Sequence, residues 1–236
     1  AMKTHPGEFI YENLAIQNNV IRNAYLNGVK KLLFLGSSCV YPKLSPQPIK
    51  EEYLFTGPLE DTVKAYGVAK IAGVVMCQSY NRQYGANFIS AIPNNIYGYS
   101  DNFNPENSTV IDSLLNKFHQ AKAENKKEVV LWGTGEARRE FMYVDDSADA
   151  CIFLMNNYDN SEIINVGTGT DITIKELAEL IRDLVGFKGE IVWDTSKPDG
   201  SMRRLFDVTR LHQLGWRHKV ELKDGLKRTY EGMLAI

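Results

Sequence analysis

The sequence contains few cysteines, no long apolar run and no block of basic residues. Its three cysteines, Cys39, Cys77 and Cys151, stand outside any CxxC pattern and predict neither a disulfide framework nor a zinc site. No apolar stretch approaches the roughly 20 residues of a membrane-spanning helix, and the start AMKTHPGEF is too polar for a signal peptide. The 27 basic and 29 acidic residues leave a net charge of -2, which disfavours nucleic acid and anionic membranes as partners. We therefore expect a globular, cytoplasmic protein that binds neither.

A glycine-rich loop of the GxGxxG type is also missing near the amino terminus, where a doubly wound fold normally has it. Two shorter glycine pairs occur later. GTGEAR, from Gly133, runs into RREF without a third glycine, and GTGTDI, from Gly167, has Ile172 at the third-glycine position. Thr173 and Glu176 have the spacing of a capping box, so we favour an ordinary helix start over a dinucleotide loop there.

Helical and strand patterns alternate along the rest of the chain. GEFIYENLAIQNNVIRNAYLNG has apolar residues at steps of three and four, which predicts a helix that ends at Asn-Gly. KKLLFLGSS is a continuous apolar run, typical of a parallel strand covered on both faces. AYGVAKIAGVVMCQSYNRQYG then predicts a helix and NFISAIPNNIYG a strand. This order favours an α/β fold with a parallel sheet, and the change in composition after Gly98 indicates a second lobe.

Tyr66 and Lys70 stand four residues apart on the second predicted helix, so their side chains share one face with Cβ atoms about 5–6 Å apart. Because a nearby ammonium favours the phenolate, we expect the pKa of Tyr66 to be lowered and its phenol to exchange a proton with a carbonyl oxygen. YxxxK alone is weak evidence, since both residues are common in helices. Ser37 strengthens it, because it follows a buried strand at the sheet edge where open α/β folds bind ligands.

A strand ending in GSS, then a loop, then YxxxK resembles the Ser-Tyr-Lys arrangement of the short-chain dehydrogenase/reductases. REFMYVDD, INVGTGTDITIKELAELI and DVTRLHQLGW resemble the extended, sugar-nucleotide branch of that superfamily. Within it, LLFLGSSCVYPK, YNRQYG, DNFNPENS and SKPDG resemble the GDP-L-fucose synthases. The resemblance implies a Rossmann-like doubly wound parallel sheet that lacks its first βα units, with a smaller α/β substrate lobe. It also implies NADPH-dependent reduction of a GDP-4-keto-6-deoxy sugar.

The resemblance implies a domain division as well. Residues 1–98 and about 140–170 would form an incomplete cofactor domain, and residues 99–139 and 171–236 the sugar-nucleotide lobe. Ala1 matches a point inside the family's first domain, so we expect an amino-terminally incomplete enzyme. The residue that separates NAD from NADP would precede Ala1, and NADPH is therefore implied by the family alone. A homodimer through the helices that carry Tyr66 and NLAIQNNVIRNA is implied in the same way.

Carried over residue by residue, the resemblance assigns the reduction to three side chains. Tyr66 would donate a proton to the C4 oxygen, Lys70 would hold the nicotinamide ribose and lower the pKa of Tyr66, and Ser37 would position the ketone. From sequence alone, Trp132 could instead belong to the core and Arg139 to a solvated face. The implied binding residues are, for the cofactor, Leu35, Gly36, Ser37, Ser38, Tyr66, Lys70, Pro93, Asn94, Asn95 and Ile96 and, for the GDP-sugar, Lys117, Trp132, Arg139 and Asp199.

Epimerisation at C3 and C5 requires two further titratable groups. In the family these are a cysteine at the position of Cys39 and a histidine, whose position is occupied here by Thr109. A threonine hydroxyl cannot hold an exchanging proton near pH 7, and His119 is about 15 Å further along the predicted helix. Cys39 either keeps a residual acid–base role or is a small buried residue.

We therefore predict C4 reduction and leave C3/C5 epimerisation open. The alternatives are a C4 reductase of another GDP-4-keto sugar, such as a heptose, and a non-catalytic nucleotide-binding member of the fold. Retention of both Tyr66 and Lys70 favours the enzyme.

Overall fold

The computed structural model describes residues 4–98 and 109–235, so the motif DNFNPENS at residues 101–108 lies outside the described residues. The helices are α1 Pro6–Leu26, α2 Lys64–Tyr84, α3 Val110–Ala123, α4 Val144–Asn157, α5 Ile174–Val185, α6 Thr209–Gln213 and α7 Leu222–Leu234. The strands are β1 Leu32–Leu35, β2 Phe88–Pro93, β3 Asn95–Tyr97, β4 Glu128–Trp132, β5 Arg138–Arg139, β6 Phe141–Tyr143, β7 Ile164–Val166, β8 Ile172–Thr173, β9 Glu190–Asp194 and β10 Arg203–Arg204. Within these described ranges, no helix is both long and apolar enough to cross a membrane.

The chain divides into two compact units. The first contains Ala1–Asn94, Ser147–Gly169 and Phe206–Arg217, and the second contains Asn95–Asp146, Thr170–Leu205 and His218–Ile236. The sequence-based division differs from these units: it assigns residues 95–98 and 140–146 to the cofactor domain and residues 206–217 to the other lobe. Residues 206–217 lie in the first unit because Phe206 forms a parallel bridge with Ile49 and packs, with Val208, in the core of that unit.

The first unit contains a parallel sheet in the order β1–β2–β7. Its strands are short apolar runs, as expected when both faces of a parallel sheet are covered. α2 packs on β1 and β2, and α1 packs on α2. The approach of α2 to β1 depends on Gly73, because any side chain there would collide with the ring of Phe34. α2 ends at Gly85, whose φ of 64° is the left-handed conformation that glycine adopts readily.

The second unit has smaller sheets around its own core. β4 pairs with β9 and β3 with β6, both in parallel, while β5 lies between β10 and β8 and is antiparallel to β8. The capping box predicted at the start of α5 is confirmed. The Thr173 hydroxyl accepts from the Glu176 amide at 3.0 Å, and the Glu176 carboxylate accepts from the Thr173 amide at 2.9 Å. The prediction of an α/β fold with parallel strands is confirmed in both units.

Candidate functional site

Ser37 follows β1 at the carboxyl edge of the first sheet. Residues 36–41, here named the Ser37 turn, leave the strand and form a short 3₁₀ turn at Ser38–Val40. The Ser37 hydroxyl accepts from the Cys39 amide at 3.3 Å, and the Gly36 amide donates to the Ala91 carbonyl at 2.8 Å. A side chain at Gly36 would collide with Ile92 of β2. The end of the sheet therefore presents the Ser37 hydroxyl and the Cys39 thiol on a closely packed backbone.

Tyr66 lies in the first turn of α2 and is half-buried beside the Ser37 turn. Its ring packs edge-to-face against Phe9 of α1, with 6.1 Å between centroids. Burial raises the pKa of Tyr66, Cys39 raises it further by electrostatic repulsion, and a hydrogen bond with Ser37 acts in the opposite direction. The sequence-based expectation of a lowered pKa is thus wrong for this structure, because desolvation of the phenol is the largest effect on its pKa and raises it. A phenol with a raised pKa is kept in its protonated, donating form.

Lys70 lies one helical turn after Tyr66 and reaches the end of β1. Its ammonium donates to the carbonyl of Leu35 at 3.0 Å and lies 5.1 Å from the centroid of Phe34 and 5.7 Å from that of Tyr66. Burial lowers the pKa of Lys70. The predicted side chains of Ser37, Tyr66 and Lys70 therefore meet around the last residues of one strand.

The other predicted cofactor contacts, Pro93 to Ile96, span the end of β2 and the start of β3. The strand predicted for NFISAIPNNIYG is interrupted at Asn94, since β2 ends at Pro93 and β3 begins at Asn95. Asn94 is buried, and its amide donates to the Val166 carbonyl at 3.1 Å. Asn94 is the last residue of the first unit's first segment, and the second unit begins at Asn95.

The predicted substrate residues lie in the second unit. Trp132, at the end of β4, is 69% exposed and is therefore not a core residue. The ammonium of Lys197 lies 5.9 Å from its ring centroid. Asp199 accepts from the amide of Thr134 at 2.7 Å and from its hydroxyl at 2.9 Å, and the bond from this amide is the main cause that lowers the pKa of Asp199. Gly133 fits here with a φ of 84°, and a side chain at this position would collide with Asp199.

Arg139 has a neighbour that sequence analysis missed. β5 and β10 pair Arg138 with Arg203 and Arg139 with Arg204. The carboxylate of Asp171 forms ion pairs with Arg138 at 2.8 Å and with Arg203 at 2.5 Å. Because side chains alternate along strands, Arg139 and Arg204 lie on the opposite face of the paired strands. Burial lowers the pKa of Arg139, and Arg204 lowers it further. Arg139 is thus half-buried beside the guanidinium of Arg204. The two Arg-Arg dipeptides in the sequence, Arg138–Arg139 and Arg203–Arg204, could have indicated this paired site.

Lys117 occupies a different part of the second unit. It lies on α3 and lines a cavity of about 450 Å³ together with Gln120 and Val130. Val130 and Trp132 share the exposed face of β4, so this cavity borders the face that carries Trp132.

Thr109 is the N-cap of α3. Its hydroxyl donates to the carboxylate of Asp112 at 2.9 Å and accepts from the Asp112 amide at 3.4 Å. Asp112 is 4% exposed. The Thr109 hydroxyl therefore makes its hydrogen bonds with the first turn of its own helix, as is usual for a capping residue.

Three comparisons with known proteins bear on this site. The model of the NAD dependent epimerase/dehydratase family matches residues 1–167. Putative GDP-L-fucose synthase 2 of Arabidopsis thaliana is 58% identical over 234 residues, which cover 99% of this chain and 71% of that protein. Among solved structures, a GDP-6-OMe-4-keto-L-xylo-heptose reductase from C. jejuni is 46% identical, with a TM-score of 0.92, covering 98% of this chain and 77% of that one. A GDP-L-fucose synthetase from Naegleria fowleri bound to NADP is 30% identical, with a TM-score of 0.92, covering 98% and 74%.

Proposed function

We propose that this chain, which belongs to the NAD-dependent epimerase/dehydratase family, reduces the C4 ketone of a GDP-4-keto sugar with NADPH as the hydride donor. The observation that carries the proposal is the meeting of Ser37, Tyr66 and Lys70 at the carboxyl end of β1. These side chains supply an acid, a hydrogen-bond donor and a cation beside one edge of the sheet, which is where open α/β folds bind ligands.

Tyr66 is the proton donor in this reaction. Reduction of a ketone leaves an alkoxide that must be protonated, and a phenol kept protonated by burial is ready to supply that proton. The Ser37 hydroxyl, whose interaction with the Tyr66 phenol lowers the pKa of that phenol, can share the same ketone oxygen and stabilise the negative charge that develops on it.

The residues around Lys70 fit the nicotinamide end of the cofactor. Lysine carries three donor protons, and only one is needed for the bond to the Leu35 carbonyl, which leaves donors for ribose hydroxyls. Gly36 has no side chain, and Leu35 is 43% exposed, so this strand end can accept a flat apolar ring. NADPH, when bound, supplies the hydride.

The second unit carries groups suited to a sugar nucleotide. Arg139 and Arg204 stand side by side on one face of paired strands, and two adjacent guanidiniums match the charge and geometry of a diphosphate. The exposed ring of Trp132 can stack on a base, and the Asp199 carboxylate can accept hydrogen bonds from hydroxyl groups. Lys117 adds positive charge at the neighbouring cavity.

A second candidate is reduction without epimerisation, on another GDP-4-keto sugar such as a heptose. The observation that favours it is the capping role of Thr109, whose hydroxyl is directed at Asp112. Cys39 remains beside Tyr66, but epimerisation needs a second group that can hold a proton.

The proposal is tested by Tyr66→Phe in the native, full-length protein, with Tyr84→Phe as a matched control on the same helix. We expect NADPH oxidation with a GDP-4-keto sugar to fall at least about 100-fold in Tyr66→Phe, since a positioned acid contributes roughly 10²–10⁴-fold. Tyr84 is 46% exposed, and its substitution should leave the rate unchanged. Retained turnover in Tyr66→Phe would reject the mechanism.

Running the reaction in D₂O separates the two candidate functions. Epimerisation places solvent deuterium at C3 and C5 of the product, whereas reduction alone leaves these positions at the level of an enzyme-free control. NMR of products from candidate GDP-4-keto sugars identifies the substrate in the same experiment.

We also propose a cytoplasmic homodimer built on α1 and α2. The three cysteines form no disulfide, which fits a reducing compartment. Both helices expose large apolar side chains, and an apolar surface of this kind is typical of an interface between subunits. These side chains are Tyr11, Ile16 and Val20 on α1 and Val68, Val75 and Tyr84 on α2.

A further inference from the structure

The Ser37 turn ends at a fully buried tyrosine. Tyr41 is 0% exposed, and its hydroxyl donates to the side-chain carbonyl of Asn165 on β7 at 2.6 Å. Its ring also packs edge-to-face on Phe206, with 5.6 Å between centroids. Burial raises the pKa of Tyr41, so the phenol remains a donor at all working pH values. The turn is therefore tied by its last residue to β7, which lies two strands from β1 in the sheet.

Asn165 is the centre of this arrangement. It is 0% exposed, and its side-chain amide donates to the carbonyls of Ile49 at 2.9 Å and Asp207 at 3.1 Å. Its backbone amide donates to the carboxylate of Glu51 at 3.0 Å. Because both protons of the side-chain amide donate to these carbonyls, the side-chain oxygen of Asn165 is the atom that accepts the hydrogen bond from Tyr41. One residue of β7 thus joins two other chain segments, residues 49–51 and Asp207, to the Ser37 turn.

Glu51 and Arg210 complete the network toward the surface. Glu51 is 5% exposed, and its second carboxylate oxygen lies 3.5 Å from the guanidinium of Arg210. Burial raises the pKa of Glu51, while the bond from Asn165 and the charge of Arg210 oppose this rise. A buried carboxyl with these partners holds the Asn165 backbone in place.

The same end of β7 also holds the other predicted cofactor segment. Val166, next to Asn165, accepts from the Asn94 amide through its carbonyl at 3.1 Å. Two neighbouring residues of β7 therefore anchor the Ser37 turn and the end of β2 together.

We propose that Tyr41 and Asn165 are positioning residues that fix the Ser37 turn for reduction. This inference rests on the proposed function. Tyr41 lies four residues after Ser37, whose other anchor is the Gly36–Ala91 hydrogen bond. Without the Tyr41 hydroxyl the turn loses the hydrogen bond that ties its last residue to β7. A displacement of about 1 Å of a reacting group can cost roughly 100-fold in rate.

Tyr41→Phe tests the inference, because it removes one hydroxyl and keeps the ring contact with Phe206. We expect kcat for NADPH oxidation to fall about 10- to 100-fold with little change in KM for the sugar nucleotide. Iodoacetamide labelling, followed by mass spectrometry of each cysteine, gives a readout that does not depend on activity. Cys39 lies in the turn and should be labelled faster in the variant, whereas Cys77 on α2 and Cys151 on α4 should keep their wild-type rates.

Asn81→Ala is the matched control within the same unit. Asn81 holds the start of β2 through the Phe88 carbonyl at 2.8 Å and the Phe88 amide at 2.9 Å, at the opposite end of the strand from the Ser37 turn. Its loss should lower the thermal midpoint without changing kcat or the labelling of Cys39.

The outcomes are distinguishable. Wild-type kcat and wild-type Cys39 labelling in Tyr41→Phe overturn the positioning role, as does faster labelling of all three cysteines together, which indicates general destabilisation. Absence of wild-type turnover with every candidate sugar overturns the proposed function, and the labelling of Cys39 still decides whether Tyr41 fixes the turn.

Discussion

Replacing Ser37 and Cys39 separately by alanine should move the alkaline limit of activity in opposite directions. Reduction requires protonated Tyr66, so the rate is lost as pH rises through the pKa of this phenol. The hydrogen bond with Ser37 lowers that pKa, and its removal in Ser37→Ala moves the limit to higher pH. The charge of Cys39 raises the pKa, and Cys39→Ala therefore moves the limit to lower pH.

The two variants should also differ in rate at neutral pH. Ser37→Ala deletes a donor to the developing alkoxide, for which losses of roughly 10²–10³-fold in kcat, or about 3–4 kcal/mol, are typical. It also removes the side-chain acceptor for the Cys39 amide. Cys39→Ala keeps the acid, the donor and the ammonium, so its rate of NADPH oxidation should remain close to that of the wild type.

The assay is the pH dependence of kcat/KM for NADPH oxidation, measured by brief exposure of each variant to alkaline buffers. An ultraviolet titration of tyrosinate in the wild type and in Tyr66→Phe identifies the phenol responsible. The reasoning is refuted if both limits move in the same direction, or if Ser37→Ala retains the wild-type rate.

Three further predictions concern other parts of the chain. Arg204→Ala should raise KM for the GDP-sugar about 10-fold or more with little effect on kcat, because a charge-assisted hydrogen bond contributes about 1.5–3 kcal/mol. An unchanged KM in initial-rate measurements contradicts the proposal that Arg139 and Arg204 bind the diphosphate together. Thr173→Ala should lower the free energy of unfolding in urea by about 1 kcal/mol through loss of the α5 cap, and an unchanged midpoint contradicts this. Ile16→Glu should shift the mass measured by light scattering from dimer to monomer; a dimer of undiminished stability excludes the exposed face of α1 from the interface.

The meeting of Ser37, Tyr66 and Lys70 was accessible from sequence because it follows from local periodicity and sheet topology. A strand-end serine and two helix residues four apart come together when the helix packs beside the strand, even though residues 36–63 separate β1 from α2. The direction of the Tyr66 pKa was not accessible, since it depends on burial by Phe9 and the Ser37 turn. Spacing predicts which charges are close to one another but not how much water they lose.

The second unit shows the same limit. The capping box at Thr173 follows from four consecutive residues and was predicted correctly. The pairing of Arg139 with Arg204 joins residues 65 positions apart through the register of two-residue strands, which no local pattern specifies. The exposure of Trp132 likewise depends on which face of β4 is covered.

The hydrogen bond between Tyr41 and Asn165 also sets an order of events during synthesis. The two residues are 124 positions apart, and at about 5–20 residues per second the ribosome needs roughly 6–25 seconds to travel from one to the other. Through that interval the Ser37 turn lacks its partner, and Phe206 and Arg210 follow later still. Until Asn165 has been synthesised, the nascent chain therefore contains Ser37, Tyr66 and Lys70 without the hydrogen bond that ties the Ser37 turn to β7.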